Sequence, residues 1–192
     1  MNPQPAHGEN TSAALSLVNT KVTGTSGVLD RLAEEHALSE WLHSHAALSG
    51  LTPSLRRPGR ARLAKFQQLR DDARALLTAL INGEALPQAG IDRVNQTAAE
   101  PVRPVLTGDG TILWKPIRPG ATEAQIARDL MRLLTSIDGT RLRICAAEDC
   151  DRMFLQDHGR TIWCSTACGN RMRARRHATR RRAQPARPGI PR

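Results

Sequence analysis

The chain has 192 residues, 40% of them hydrophobic, and a formal net charge of +10, enough for one ordinary core and a small appendage. No stretch approaches 18 consecutive apolar residues, which excludes a membrane-spanning helix, and the N-terminal stretch lacks the basic and apolar regions of a secretory signal. The expected setting is a reducing cytoplasm.

Residues 1–12, rich in Pro, Asn, Gly and Ser, are expected to be disordered. The apolar segment 14–20, ALSLVNT, reads as a helical turn or a buried strand, and KVTGTSG after it as a loop. Leu29, Leu32, Leu38, Trp41, Leu42 and Leu48 fall mostly at helical spacing and predict a helix covering at least 35–47, broken by Pro53, Pro58 and Gly59. The strongest helix is 60–82, with Leu63, Phe66, Leu69, Ala73, Leu76, Leu77 and Leu80 on one face and Gly83 at the stop position. Another lies near 87–98, starting at Pro87 with Ile91, Val94 and Ala98 inward. Residues 101–116 read as a β-hairpin around Gly108-Asp109-Gly110. A further helix follows, with Thr122 as a candidate cap and Ile126, Leu130, Leu133, Leu134 and Ile137 inward; Asp138-Gly139 ends it. Residues 13–139 are thus expected to form a mainly α domain with a small β-hairpin.

That domain shows little chemistry. His36, His43 and His45 lie on or near one helix, but no carboxylate pairing makes a convincing metal or catalytic set of them, and they read as a solvated face. Asn19 reads as a turn or cap rather than a ligand contact. There is no GxGxxG, P-loop, GxSxG or HExxH pattern, so no catalytic residue is assigned and the protein is not expected to be an enzyme.

The charge is concentrated at the other end. Residues 141–192 hold thirteen Arg, no Lys and four acids, a net +9, while residues 1–140 hold fifteen basic against fourteen acidic side chains. Such asymmetry points to a nucleic acid or another anionic surface, against the plainer reading of a solubilising tail. All four cysteines also lie here, as Cys145-x4-Cys150, thirteen residues, then Cys164-x3-Cys168. Two close pairs in a chain without an export signal read as a tetrahedral zinc site; two disulfides are disfavoured in a reducing compartment. Four thiolates close the coordination shell, so one structural zinc is expected, with His158 a solvated loop residue rather than a substitute ligand.

Ser165 or Thr166 can cap a helix through the arginines, placing Cys164 just before it and Cys168 on its first turn. Cys145 and Cys150 are expected on a turn before a hairpin formed by residues 151–163. Turn, hairpin and helix make a treble-clef-like zinc finger over 140–182. Its small core would be Phe154, Ile162, Trp163 and Met172, too little burial to fold without the metal. Residues 183–192 are expected to be a disordered tail.

These residues resemble a known family. LSLVNT near the start, Trp41-Leu42, the helical middle, the paired cysteines, Cys168-Gly169-Asn170-Arg171 and the ARRH of Ala174 to His177 are similar to the bacterial CGNR zinc-finger proteins with an N-terminal ABATE domain. That family is described as stress-induced transcription regulators. The resemblance implies a zinc-dependent DNA-binding module behind a sensing domain, and hence a cytoplasmic, nucleoid-associated protein.

On a helical wheel of 100° per residue, Cys164, Cys168, Met172 and Arg175 share the inner side, with Arg171 at its edge. Arg173, His177 and Arg180 lie opposite, and Arg176 flanks them. Positive charge surrounds the helix, which argues against membrane binding and suits phosphate contacts. The candidate nucleic-acid contacts are Arg171, Arg173, Arg175, Arg176, Arg180, Arg181 and Arg182, with Arg171 and Arg175 also near the metal. DNA is the expected partner. RNA, or a protein-interaction role without sequence-specific DNA binding, is the rival, although only 3% aromatic residues leave few platforms for stacking single-stranded bases. Asn170 could read adenine, but a structural role beside the ligands is favoured, and Gly169 should permit close packing. The N-terminal domain is the candidate for binding a small molecule or forming a homodimer.

Overall fold

The structure is a computed structural model that describes residues 4–24, 27–45, 58–117 and 121–183. The distal end of the helix expected over 35–47, the breaker at Pro53 and the expected tail beyond residue 183 lie outside the described residues.

Helices build the first part of the chain. Ser12 opens α1 (Ala13–Val18), its hydroxyl accepting from the Leu15 amide, and all six residues are buried. The segment read as a turn or buried strand is therefore a short core helix. Asp129 of α5 (Thr122–Thr135) holds the start of α1, accepting from the Ser12 hydroxyl at 2.6 Å and the Ala14 amide at 2.9 Å. A carboxylate there satisfies free amides and meets the positive end of the helix dipole. The helix α3 (Arg60–Asn82) has its predicted bounds and closes on Gly83 at φ 70°, a left-handed position that suits glycine. The helix α4 (Gln88–Ala98) also lies where the periodicity placed it, whereas α2 (Glu35–Ser44) starts at the predicted residue but ends at Ser44 with His45 as its cap, short of the expected span. Phe66, Leu76, Leu77, Ile126, Leu130 and Leu133 are fully buried between α1, α3 and α5.

Two details of α5 differ from expectation. Thr122 is its first residue and Ala121 takes the cap position. Ile137 is exposed, because the chain leaves the helix at Ser136 and restarts as a single turn, α6 (Ile137–Thr140). Gly139 lies against the end of α5, where a Cβ would come within 2.6 Å of the Leu133 carbonyl.

Among the described residues, three two-stranded antiparallel sheets complete the fold. Strand β1 (Lys21–Gly24) pairs with β2 (Gly27–Asp30), where a loop was expected. Val22, Thr23, Val28 and Leu29 favour extended backbone, which overrides the glycines' loop signal. The predicted hairpin forms from β3 (Val102–Leu106) and β4 (Ile112–Pro116). The third corrects the reading of the finger: β5 (Leu142–Ile144) pairs with β6 (Met153–Leu155), so the first cysteine pair lies inside the hairpin connection, not before a hairpin over 151–163. The last element, α7 (Thr166–Ala183), is the arginine helix.

The finger hairpin is shared between two cores. Successive strand residues face opposite ways. Met153 and Leu155 join the main helical core with Leu142, whereas Phe154 packs with the cysteines, Ala147 and Met172. The two halves are thus fused through one three-residue strand.

Residues 4–12, expected to be disordered, are packed. The His7 amide donates to the Cys164 carbonyl at 3.0 Å and the His7 carbonyl accepts from the Leu155 amide at 2.9 Å. Ala6 is buried in the cysteine cluster, and Glu9 pairs with buried Arg152 at 2.5 Å. Gly8, at φ 87°, lies so close over Leu155 that a Cβ would clash at 2.6 Å. Backbone pairing and the Glu9–Arg152 ion pair order a segment whose composition reads as loop.

Candidate metal centre and arginine helix

The four cysteines converge on one point. All four sulfurs lie within 4.8 Å of one another, with Cys164 Sγ 3.7 Å from Cys150 Sγ and 3.4 Å from Cys168 Sγ. A tetrahedron of metal–sulfur bonds about 2.3 Å long has edges of about 3.8 Å. A disulfide needs about 2.05 Å, and all four thiols are free. Cys145, Cys164 and Cys168 are buried and Cys150 is half-buried. The donor set, spacing and burial therefore fit one tetrahedral zinc. His158 is exposed and lies outside the cluster, as expected.

The chain presents these ligands in two ways. Cys145 and Cys150 stand on the connection after β5, where the Cys145 amide bonds the Arg152 carbonyl and the Cys150 amide the Ala147 carbonyl. Cys164 precedes α7 and Cys168 sits on its first turn. The Ser165 hydroxyl accepts from the Cys168 amide at 3.4 Å, and Gln4 accepts from the Ala167 amide at 3.2 Å. Two free helix amides are thereby satisfied.

The protonation pattern explains why a cation belongs here. Hydrogen bonds from Cys150 and Cys164 push the Cys145 thiol down to about 2. That thiolate in turn pushes Cys150 up to about 12 and Cys164 far above the ordinary thiol range. Four sulfurs this close cannot all ionise alone; a divalent cation lets them.

Around the ligands the arginines divide. Arg171 grips Asp149 bidentately, Nε at 2.9 Å and Nη2 at 2.8 Å, and Nη2 also donates to Cys168 Sγ at 3.3 Å. Arg175 reaches the same Asp149 at 2.9 Å. The hydrogen bond from Arg171 holds the Asp149 carboxyl below the ordinary range despite burial, and Asp149 in return holds the Arg171 guanidinium above its own. Arg173, Arg176, Arg180, Arg181 and Arg182 are exposed on the rest of α7. The sequence placed Arg171 and Arg175 near the metal, but it missed Asp149. The signal was an acid next to a ligand, one of four acids within residues 148–157 that precede an acid-free arginine run.

The small finger core also differs from expectation. Phe154 and Met172 are buried and Trp163 packs at the edge, but Ile162 is 46% exposed. Its backbone is used instead, the Ile162 carbonyl accepting from the Ala146 amide.

The helical domain grips the finger through residues the sequence did not single out for it. Asn19 Nδ2 donates to the Met153 carbonyl at 2.8 Å, and Asn19 Oδ1 accepts from the Met153 amide at 2.9 Å. Asn19 is the C-cap of α1, as its cap reading predicts, and its side chain in addition bonds the finger strand. Asp151 accepts from the Thr23 amide at 2.8 Å and pairs with Arg74 of α3 at 3.5 Å. His36 and His43 are exposed, but His45 stacks on Trp41 at 4.7 Å and bonds the Ser16 hydroxyl at 2.7 Å, so it is not part of a solvated face.

Comparison with known families fits this architecture. Residues 11–137 match the ABATE family model, described as "Putative stress-induced transcription regulator". The chain belongs to the ABATE family. Residues 141–181 match the CGNR zinc finger, so the metal expected at Cys145, Cys150, Cys164 and Cys168 is the finger's one structural zinc. No curated protein matches the chain. Among the described residues no helix is long and apolar enough to cross a membrane.

Proposed function

We propose that this ABATE protein is a DNA-binding transcription regulator whose zinc centre fixes one helix, α7, for contact with the duplex. The observation that carries this reading is the outer face of α7. Arg173, Arg176, His177 and Arg180 are exposed opposite the metal, with no acid on the helix. Arginine forks suit phosphate oxygens and the guanine edge. Arg181 and Arg182 extend the positive surface, while Arg171 and Arg175 serve the zinc site through Asp149.

In this reading the ABATE domain is the controlling part, acting through a bound small molecule or a second copy of the chain. The Asn19–Met153 and Arg74–Asp151 contacts are the joint through which it would act. The protein works without a catalytic step, and its place is the cytoplasm at the nucleoid.

Titration of zinc-loaded protein onto labelled duplex DNA over a range of salt concentrations tests the proposal. Affinity should fall steeply with salt, by about 0.9 log–log units for each phosphate neutralised. Absence of duplex binding at low salt would overturn it. Preference for structured RNA in competition would favour the RNA-binding alternative.

A further inference from the structure

The segment Gly169-Asn170 directly follows the ligand Cys168 but is no part of the ligand set. Asn170 Oδ1 accepts from Arg173 Nη2 at 2.6 Å. Arginine has no acceptor, so this bond fixes the amide's orientation and turns Nδ2, a donor, away from Arg173. At Gly169 a Cβ would sit 3.0 Å from Trp163 Cδ1 and 3.3 Å from Arg173 Nη1. The missing side chain therefore leaves room for both the Trp163 indole and the Arg173 guanidinium to lie close over the helix backbone. Arg176 lies with its guanidinium carbon 5.8 Å from the Trp163 ring centroid. Its N–H groups meet no protein acceptor among the described residues.

At 100° per residue, Gly169, Arg173, Arg176 and Arg180 fall within an arc of about 60°. Two of these three arginines are held by a neighbour that leaves most of the guanidinium donors free. The inner pair is different: Arg171 and Arg175 share the one carboxylate of Asp149. An exposed arginine ordinarily loses rotamer freedom on binding, and holding it beforehand lowers that cost. Glu148 is the one acid that lines the hollow beside Trp163, Arg176 and Arg180, so aimed donors outnumber acids on this surface, which suits an anion.

We infer that Asn170 and Trp163 are positioning residues, which preset Arg173 and Arg176 as a paired site for the phosphodiester backbone of duplex DNA. The inference rests on the DNA-binding reading above and names the residues that shape it. Within Cys168-Gly169-Asn170-Arg171 each residue then has its own task. Cys168 binds zinc, Arg171 donates to the Cys168 sulfur while gripping Asp149, Gly169 clears the surface, and Asn170 aims Arg173.

The test is a double-mutant cycle on the full, zinc-loaded chain, reading duplex affinity from about 50 to 300 mM salt. Arg173→Ala should lower the salt slope by about one unit. Asn170→Ala should weaken binding about three- to tenfold in the wild type, as lost pre-organisation does, and hardly at all once Arg173 is absent. Trp163→Leu should show the same dependence on Arg176. Asn170→Asp would neutralise Arg173 and should reproduce the slope of Arg173→Ala; it decides the matter if Asn170→Ala loses zinc. An Asn170→Ala effect that is absent, or equal in both backgrounds, overturns the inference while leaving DNA binding standing. A wild-type protein that binds no duplex removes the DNA reading itself.

Discussion

Asn19 and Met153 exchange two hydrogen bonds across the joint between the helical domain and the finger, at 2.8 and 2.9 Å. A primary amide carries one acceptor and one donor group, and here it imitates the edge of a neighbouring strand for β6. Both residues are buried, so losing the amide leaves a backbone N–H and a C=O without water. Asn19→Ala should therefore cost about 2–4 kcal/mol. Asn19→Asp, which keeps acceptors but loses the donor, should fall between. Urea unfolding of the zinc-loaded proteins checks this, and a loss below about 0.5 kcal/mol, the range of ordinary surface changes, would contradict it.

Zinc removal should not unfold the finger uniformly. Leu142, Met153 and Leu155 belong to the core shared with Phe66 and Leu130, whereas Phe154, Met172 and the cysteines depend on the smaller cluster. Chelation should therefore expose the amides of α7 to rapid hydrogen exchange while the Met153 and Leu155 amides stay protected. Cys168→Ser should give the same pattern with a purified protein that no longer carries one equivalent of zinc. Simultaneous loss of protection in both regions would show that the fusion through β6 contributes little.

Asp149 and Arg171 should govern how firmly the metal is held. Arg171 joins the carboxylate to Cys168 Sγ, and partners that orient ligands typically change metal affinity about 10–100-fold when removed. Arg171→Ala should thus release zinc to a competing chelator more readily by at least about tenfold. Arg173→Ala, which removes a guanidinium that hydrogen-bonds Asn170 and no ligand, should leave zinc affinity unchanged. The pair separates a metal-supporting arginine from a DNA-facing one of identical charge.

What was legible in the sequence was whatever depends on local spacing. The apolar repeats of α3 and α4 fixed those helices to within a residue, because their buried faces recur at the helical period. The ligand set was legible because thiolate pairs and zinc impose their own geometry. The β1–β2 hairpin was not, since Val28 and Leu29 are exposed and leave no inward pattern to find. Strands of three residues, as in β5 and β6, are too short to show alternation. Residues 4–12 were misread because backbone bonds to Cys164 and Leu155 hold them, and composition does not record such bonds. Asp149, Asn19 and Arg74 act through partners distant in sequence, which no spacing rule connects.

Asp30 and Arg70 give the acid dependence of the helical domain. Arg70 is 2% exposed, and its Nη1 and Nη2 grip Asp30 at 2.6 and 2.8 Å. Burial acts to raise the Asp30 carboxyl, but hydrogen bonds from Arg70 and the Leu32 amide, with the charge of Arg70, hold it below the ordinary range. A carboxyl lowered in the folded state contributes stability above its unfolded pKa, about 3.9, and loses it as pH falls through the folded value. Asp30→Asn removes the charge and leaves the buried guanidinium poorly paired. It should cost about 2–3 kcal/mol at pH 7, discounted from a fully buried pair because Asp30 is partly exposed. Below about pH 4 the wild type should lose this advantage, so the two stability curves converge. Zinc release on acidification is common to both proteins and drops out of the difference. Urea melts of both proteins from pH 7 downward check the sign. Curves that stay parallel, or diverge in acid, would show that Asp30 is not the carboxylate on which the helical domain's acid stability rests.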